Sequence, residues 1–245
     1  MTLTSKAGAS TFSLLLLVSV FRHETADVYH KSKASKLTTT STKVDGKAMF
    51  KYSAIWLCAA YFLTYVGTET AISGWVVSFM LRQRHSTAYE SGLAASGYWI
   101  GMAIGRLSLG FLTDRLGVRR ATVLYFLFAI GIETLFAILS SAAVSVVLMT
   151  ALGFVMGPLF PSGVVVLTRL LPGELHVAAV SFVASLGQVG GAFLPFAIGV
   201  VIQSLDIGVF RFAILIGTVL ALLVWFAFAR IRPRFDHISI TRVGD

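Results

Sequence analysis

The chain has a single cysteine, Cys58, and no asparagine at all. One cysteine rules out an intrachain disulfide and any cluster of thiolate metal ligands, and without asparagine there is no N-glycosylation acceptor. Neither HExxH nor GxxxxGK[ST] occurs, and the five histidines, His23, His30, His85, His176 and His237, lie outside the apolar runs. A membrane metalloenzyme, an ATP-driven pump and an enzyme with a nucleophile and base pair therefore have no residues to rest on. No cofactor and no metal are expected. Charge is sparse too. Only 13% of the 245 residues are charged, against 56% hydrophobic, and the mean hydropathy is +0.84, far from the balance of a water-soluble domain.

What is present is a series of long apolar runs. A membrane helix needs about 20 mostly apolar residues, and six stretches meet that length: Tyr52 to Leu81, Gly92 to Thr113, Ala121 to Ser140, Ala142 to Leu170, Val177 to Gln203, and Val209 to Ala229. The predicted fold class is an all-α membrane protein with six transmembrane helices. The boundaries give residues 1–51 as a partial preceding helix and linker, 52–230 as the bundle and 231–245 as a short tail.

The net charge of +9 is arranged as topology rather than as a nucleic-acid surface. Counted over alternate arms and loops, fifteen lysines and arginines fall on one side of the spans, whereas Arg82, Arg84 and Arg211 fall on the other. By the positive-inside rule the first side is cytosolic, with both flanks of the six-helix block there. No nucleic-acid partner is expected. The run Phe12 to Phe21 is about half a bilayer long as a helix. It reads either as a signal peptide, although no small-residue cleavage pattern follows it, or as the tail of a preceding membrane helix whose start lies outside this chain. The Lys-, Ser- and Thr-rich stretch from Arg22 to Lys51 reads as a cytosolic linker.

Glu69 stands near the middle of the first span. An ionised carboxylate there is costly, so the expectation is either an acid that gains and loses a proton as solvent or solute reaches it, or a permanently neutral acid bonded to a neighbouring helix. Tyr61 and Tyr65 precede it at four-residue spacing and share its helix face; they suit either contact with a polar solute or packing between helices. Glu133 is a second intramembrane acid, expected to bond sideways to another helix. Gln188, within GQVGG, is placed either to touch solute or to join two helices. Gly97, Gly101 and Gly105 form a small-residue stripe that lets a neighbouring backbone approach. Pro158 and Pro161 each remove a backbone donor, so the fourth span should break there and leave carbonyls unpaired.

The segment GRLSLGFLTDRLGVRR, Gly105 to Arg120, is a charged connection between two spans, and its pattern of Asp114, Arg115, Gly117, Arg119 and Arg120 resembles the loop signature of the major facilitator superfamily of secondary transporters. YVGTETAISGW (Tyr65 to Trp75), GFVMGPLFPSG (Gly153 to Gly163) and LPGELHVAAVSF (Leu171 to Phe182) are similar to the first, fourth and fifth helices of the C-terminal half in fungal members related to fucose permeases. The resemblance covers about residues 50 to 230. It implies one six-helix half-bundle of the facilitator fold, moving a small solute by alternating access with proton coupling through Glu69. It also implies that the first helix lines the central cavity and that Asp114, Arg115 and Arg119 form a cytosolic latch against a helix of the other half. The partners implied are a solute, protons, the lipid bilayer, and a missing N-terminal half or a second copy; the plasma membrane is the expected site. The rival expectation is a truncated six-helix membrane protein without transport activity, a partner or regulator or the product of an incomplete gene model.

Overall fold

The computed structural model describes residues 46–231 together with Ser19. The expectations for Phe12 to Phe21 (Ser19 aside), for the linker up to Asp45 and for the tail beyond Ile231 lie outside those residues. The described residues form an α-helical bundle. A 3-10 turn, Gly46–Lys51, leads into α1 (Ser53–Gln83), α2 (Ala88–Leu116), α3 (Val118–Ile138), α4 (Ala142–Met156), α5 (Leu159–Leu170), α6 (His176–Ser204) and α7 (Phe210–Ala229). Met49 in the turn is buried in the bundle core, where the sequence suggests the end of a linker.

Among the described residues, five segments are long and apolar enough to cross a membrane: Ser53–Gln83, Val118–Ile138, Ala142–Leu170, Gly173–Ser204 and Ile207–Ala229. The helix α2 is not among them, although at 29 residues it has the length. Glu90, Arg106, Asp114 and Arg115, with its glycines and serines, lower its hydropathy. The start of α2 is fixed by a capping box that hydropathy alone misses: Thr87 Oγ1 accepts from the Glu90 backbone N–H (3.2 Å), and Glu90 Oε2 accepts from the Thr87 N–H (2.9 Å). The two reciprocal bonds satisfy donors that a helix start leaves unpaired.

The charged connection proves to be hardly a loop at all. α2 continues to Leu116 and α3 begins at Val118, so Gly117 alone turns the chain. Its φ of +81° lies where a side chain is strained and glycine is not. Asp114 and Arg115 thus sit on the last turn of α2, and Arg119 and Arg120 on the first turn of α3.

Two packing seams organise the bundle. Along one, α1 runs against α6 and α7; along the other, α2 runs against α4. Glycines set both. A Cβ on Gly190 of α6 would strike the Leu63 carbonyl of α1, and one on Gly67 of α1 would sit 2.9 Å from the Gly190 oxygen. Across the second seam, Gly101 faces the Thr150 carbonyl, Gly105 that of Phe154, and Gly153 that of Tyr98, all too close to admit a methyl group. The small-residue stripe of α2 is thus met by a second stripe, Gly153 and Gly157, on α4.

At the far end, the C-terminus of α3 is closed by two arginines. Arg84 donates through Nη2 to the Phe136 carbonyl, and Arg211 donates through Nη1 to the Ala137 carbonyl (3.0 Å). Helix C-termini have unpaired carbonyls and a negative dipole end, which guanidinium groups satisfy together. Burial, and then the charge of Arg211, lower the Arg84 pKa from its ordinary value. Arg84 also lies over the rings of Phe79 and Phe136, 5.3 and 5.4 Å from their centroids. Two of the three arginines on the charge-poor side therefore act as helix caps.

Candidate functional site

Pro158 interrupts the fourth span, which ends as α4 at Met156 and resumes as α5 at Leu159. A proline offers no N–H to the carbonyl four residues before it, so Pro161 leaves the Gly157 oxygen free of its usual helical partner. The side chains of α1 and α2 converge on this break. Tyr65 donates its hydroxyl to the Met156 carbonyl (3.0 Å), Tyr61 to the Leu159 carbonyl (2.9 Å), and Arg106 donates through Nε to the Gly157 carbonyl (3.3 Å). Irregular backbone inside a membrane protein is tolerated where protein groups re-satisfy it; here Arg106 does so for the Gly157 carbonyl, and the two tyrosine hydroxyls bind carbonyls on either side of the break.

The same arginine makes the one ion pair among the described residues. Arg106 Nη2 lies 3.9 Å from Glu69 Oε1, at the level of the break and near the midpoint of α1. Glu69 is only 8% exposed, and its second oxygen, Oε2, is buried without a hydrogen-bond partner. The Arg106 side chain is 47% exposed, so the pair opens to the surroundings from the arginine side. The Tyr65 hydroxyl lies close to Glu69 as well. Tyr98 of α2 reaches the Met156 sulfur (3.5 Å).

A groove of about 280 Å³ leads from this centre toward the Gly117 turn. Its lining includes Arg106, Thr113, Asp114, Pro158, Pro161 and Arg169. Asp114 and Arg106 thus share one wall of a continuous opening, while Arg119 turns away from it and donates through Nη2 to the Ile231 carbonyl (2.9 Å). Arg115 is exposed at the end of α2.

The other residues singled out by sequence are scattered. Tyr61 and Tyr65 are fully buried, their rings stacked on each other 5.9 Å apart and Tyr61 also packed against Trp225, 5.0 Å away. Both tyrosines tie α1 to the α4–α5 break. Gln188 is exposed on α6, on the same side as the exposed Ser181 and Ser185, and no hydrogen bond or ion pair joins it to Glu69 among the described residues. Glu133 is wholly buried; its Oε1 accepts from the Thr218 hydroxyl of α7 (2.7 Å), the sideways bond to another helix. Its Oε2 and the Trp225 indole N–H are buried without partners. Arg106 is the residue sequence reasoning missed. It lies ten residues before the end of α2, about 15 Å inside. The available signal was the requirement that an intramembrane charge find an opposite charge, with Glu69 and Glu133 the acids within the spans.

These features define a multi-pass integral membrane protein with a charged centre at a broken helix. Comparison with known proteins gives the family. The model of the Major Facilitator Superfamily matches residues 7–242, and the chain belongs to that superfamily. Bypass of stop codon protein 6 of Saccharomyces cerevisiae is 28% identical to it over 224 residues, covering 81% of this chain and 45% of that protein. A putative glucose/galactose transporter of Helicobacter pylori is 29% identical over 198 residues, covering 81% of this chain and 46% of the relative. The chain therefore spans about half the length of these relatives. In fold it is similar to half of the E. coli fucose:proton symporter, with a TM-score of 0.66, 15% identity, and coverage of 76% of this chain and 45% of that one. A structure of a superfamily transporter in the outward conformation gives a TM-score of 0.64 at 16% identity, over 73% of this chain and 43% of that one.

Proposed function

We propose that this chain is the C-terminal six-helix half of a proton-coupled secondary transporter and that the Glu69–Arg106 pair is its coupling centre. In this reading α2 also spans the membrane, as the second of six spans, its polarity offset by the ion pair, and both flanks of the block are cytosolic in a plasma-membrane protein. The observation that carries the reading is a buried carboxylate with one oxygen facing a half-exposed guanidinium at 3.9 Å and the other oxygen unpaired. Such a carboxylate has a vacant site for a proton. Proton binding neutralises Glu69 and removes its attraction for Arg106, which keeps its bonds to the Gly157 carbonyl at the helix break and to the Met102 sulfur of its own helix. A single protonation is thereby linked to the seam between α2 and the α4–α5 break, an element suited to rocking one bundle against another.

On α6 the exposed Gln188, beside Ser181 and Ser185 but among the exposed apolar Val177, Val189 and Phe193, is costly to leave in lipid and calls for a covering N-terminal half or a second copy, with the solute between. Asp114 and Arg115, ending α2 beside the groove, serve as the cytosolic latch toward that covering half. Arg119 supports it from α3 through its bond to Ile231. A neutral hexose is the solute class to test first, because a putative glucose/galactose transporter and a fucose:proton symporter are among the similar proteins. The test is uptake of labelled hexoses into proteoliposomes holding the complete transporter of which this chain is part. An acid exterior is expected to drive accumulation that a protonophore abolishes. Accumulation indifferent to the proton gradient would refute the coupling.

A further inference from the structure

At the end of the bundle where Gly117 turns the chain, the start of α3 and the end of α7 enclose an apolar groove of about 510 Å³. Val123, Leu124 and Phe226 line it, together with Arg119, Arg120 and Arg230. A neighbouring cavity of about 240 Å³ shares Arg119 and Arg120 with the groove and adds Arg169 of α5. No acidic side chain lines either space. Arg119 is anchored by its bond to the Ile231 carbonyl, whereas the guanidinium groups of Arg120 and Arg230 have no ion pair or hydrogen bond among the described residues.

The location adds a constraint. α3 and α7 turn exposed apolar side chains outward, among them Leu127, Phe128, Leu220 and Leu223, as helices facing hydrocarbon do. An apolar slot bordered by uncompensated guanidinium groups, at the end of two lipid-facing helices, is complementary to a molecule with a hydrocarbon part and a phosphate part. Arginines that merely snorkel to the interface need no slot beside them.

We infer that this double chamber is a binding site for an anionic phospholipid. An acyl chain occupies the groove between α3 and α7, and the phosphate is held by Arg119 and Arg120, with Arg230 and Arg169 on either side. The inference does not depend on what the protein transports.

Native mass spectrometry of the chain, released from nanodiscs of equal phosphatidylglycerol and phosphatidylcholine with matched acyl chains, tests this. The wild-type chain should retain phosphatidylglycerol selectively. With roughly a factor of five per guanidinium near a membrane surface, Arg119→Gln/Arg120→Gln/Arg230→Gln should lower that retention about 100-fold, while the corresponding triple Lys variant keeps most of it. Leu124→Trp, which fills the groove and leaves every charge in place, should also expel the lipid, and free glycerol phosphate should not displace it. Equal retention of phosphatidylcholine would overturn the site. So would displacement by glycerol phosphate, which would mean an anion pocket without a lipid chain, or full retention by Leu124→Trp, which would mean a general surface charge effect.

Discussion

Gly101→Ala is the smallest change that probes the seam carrying Arg106. The added Cβ would meet the Thr150 carbonyl oxygen well inside van der Waals contact, with the Phe154 nitrogen 3.0 Å away. Both obstacles are backbone atoms of α4, so no rotamer change relieves them and the helices must part. Overpacking a well-filled interior costs about 1–3 kcal/mol, and a rigid backbone obstacle places this case toward the upper end. Replacing glycine by alanine within a helix returns about 0.5–1 kcal/mol. The net expectation is a loss of about 2 kcal/mol. Gly131→Ala on α3 is the matched control, because its Cβ would meet nothing within 4 Å; there only the helix gain of about 0.5–1 kcal/mol remains. Equilibrium unfolding of the purified chain in mixed micelles, followed by tryptophan fluorescence, measures both. The two variants should differ by about 2–3 kcal/mol in opposite directions. Equal stability would show that the α2–α4 approach is looser than described, and the placement of Arg106 against Gly157 would fall with it.

Other consequences follow from the same contacts. Tyr65→Phe removes the donor to the Met156 carbonyl in a fully buried setting and should cost about 1–3 kcal/mol in the same unfolding assay; a neutral result would mean that the carbonyl finds another partner. Arg211→Ala removes a cap from the C-terminus of α3 and should cost about 1–2 kcal/mol, partly restored by Arg211→Lys; hydrogen exchange at the end of α3 should rise in the alanine variant and not elsewhere. Asp114→Ala should shift the balance of inward and outward states of the complete transporter, read by cysteine accessibility from each side, while leaving solute affinity intact; unchanged accessibility would remove the latch.

The sequence made the helices legible because hydropathy over some 20 residues is a strong signal. It also pointed to Pro158 and Pro161, where a missing N–H is written directly in the residue type. Where the reading fell short, the cause was local chemistry outweighing hydropathy. α2 begins four residues before its apolar run because Thr87 and Glu90 form a capping box, and it extends past Thr113 because one glycine suffices to turn the chain. The candidate site was half legible. Glu69 stands out as an acid in an apolar span, but its relation to Arg106 depends on which helices are neighbours, and periodicity within one helix carries no such information. Tyr61 and Tyr65 share the face of Glu69 in sequence, yet their hydroxyl groups are occupied by carbonyls that only the packed α4–α5 break presents.

The central claim, proton coupling at Glu69, is tested most directly by Glu69→Gln in the complete transporter, with proton movement and solute exchange recorded side by side in proteoliposomes. The amide keeps the shape of the carboxyl group but cannot cycle a proton. The account predicts that the variant exchanges solute across the membrane at equilibrium yet neither accumulates it against a gradient nor alkalinises the medium on solute addition. Solute-dependent proton uptake persisting in Glu69→Gln would contradict it.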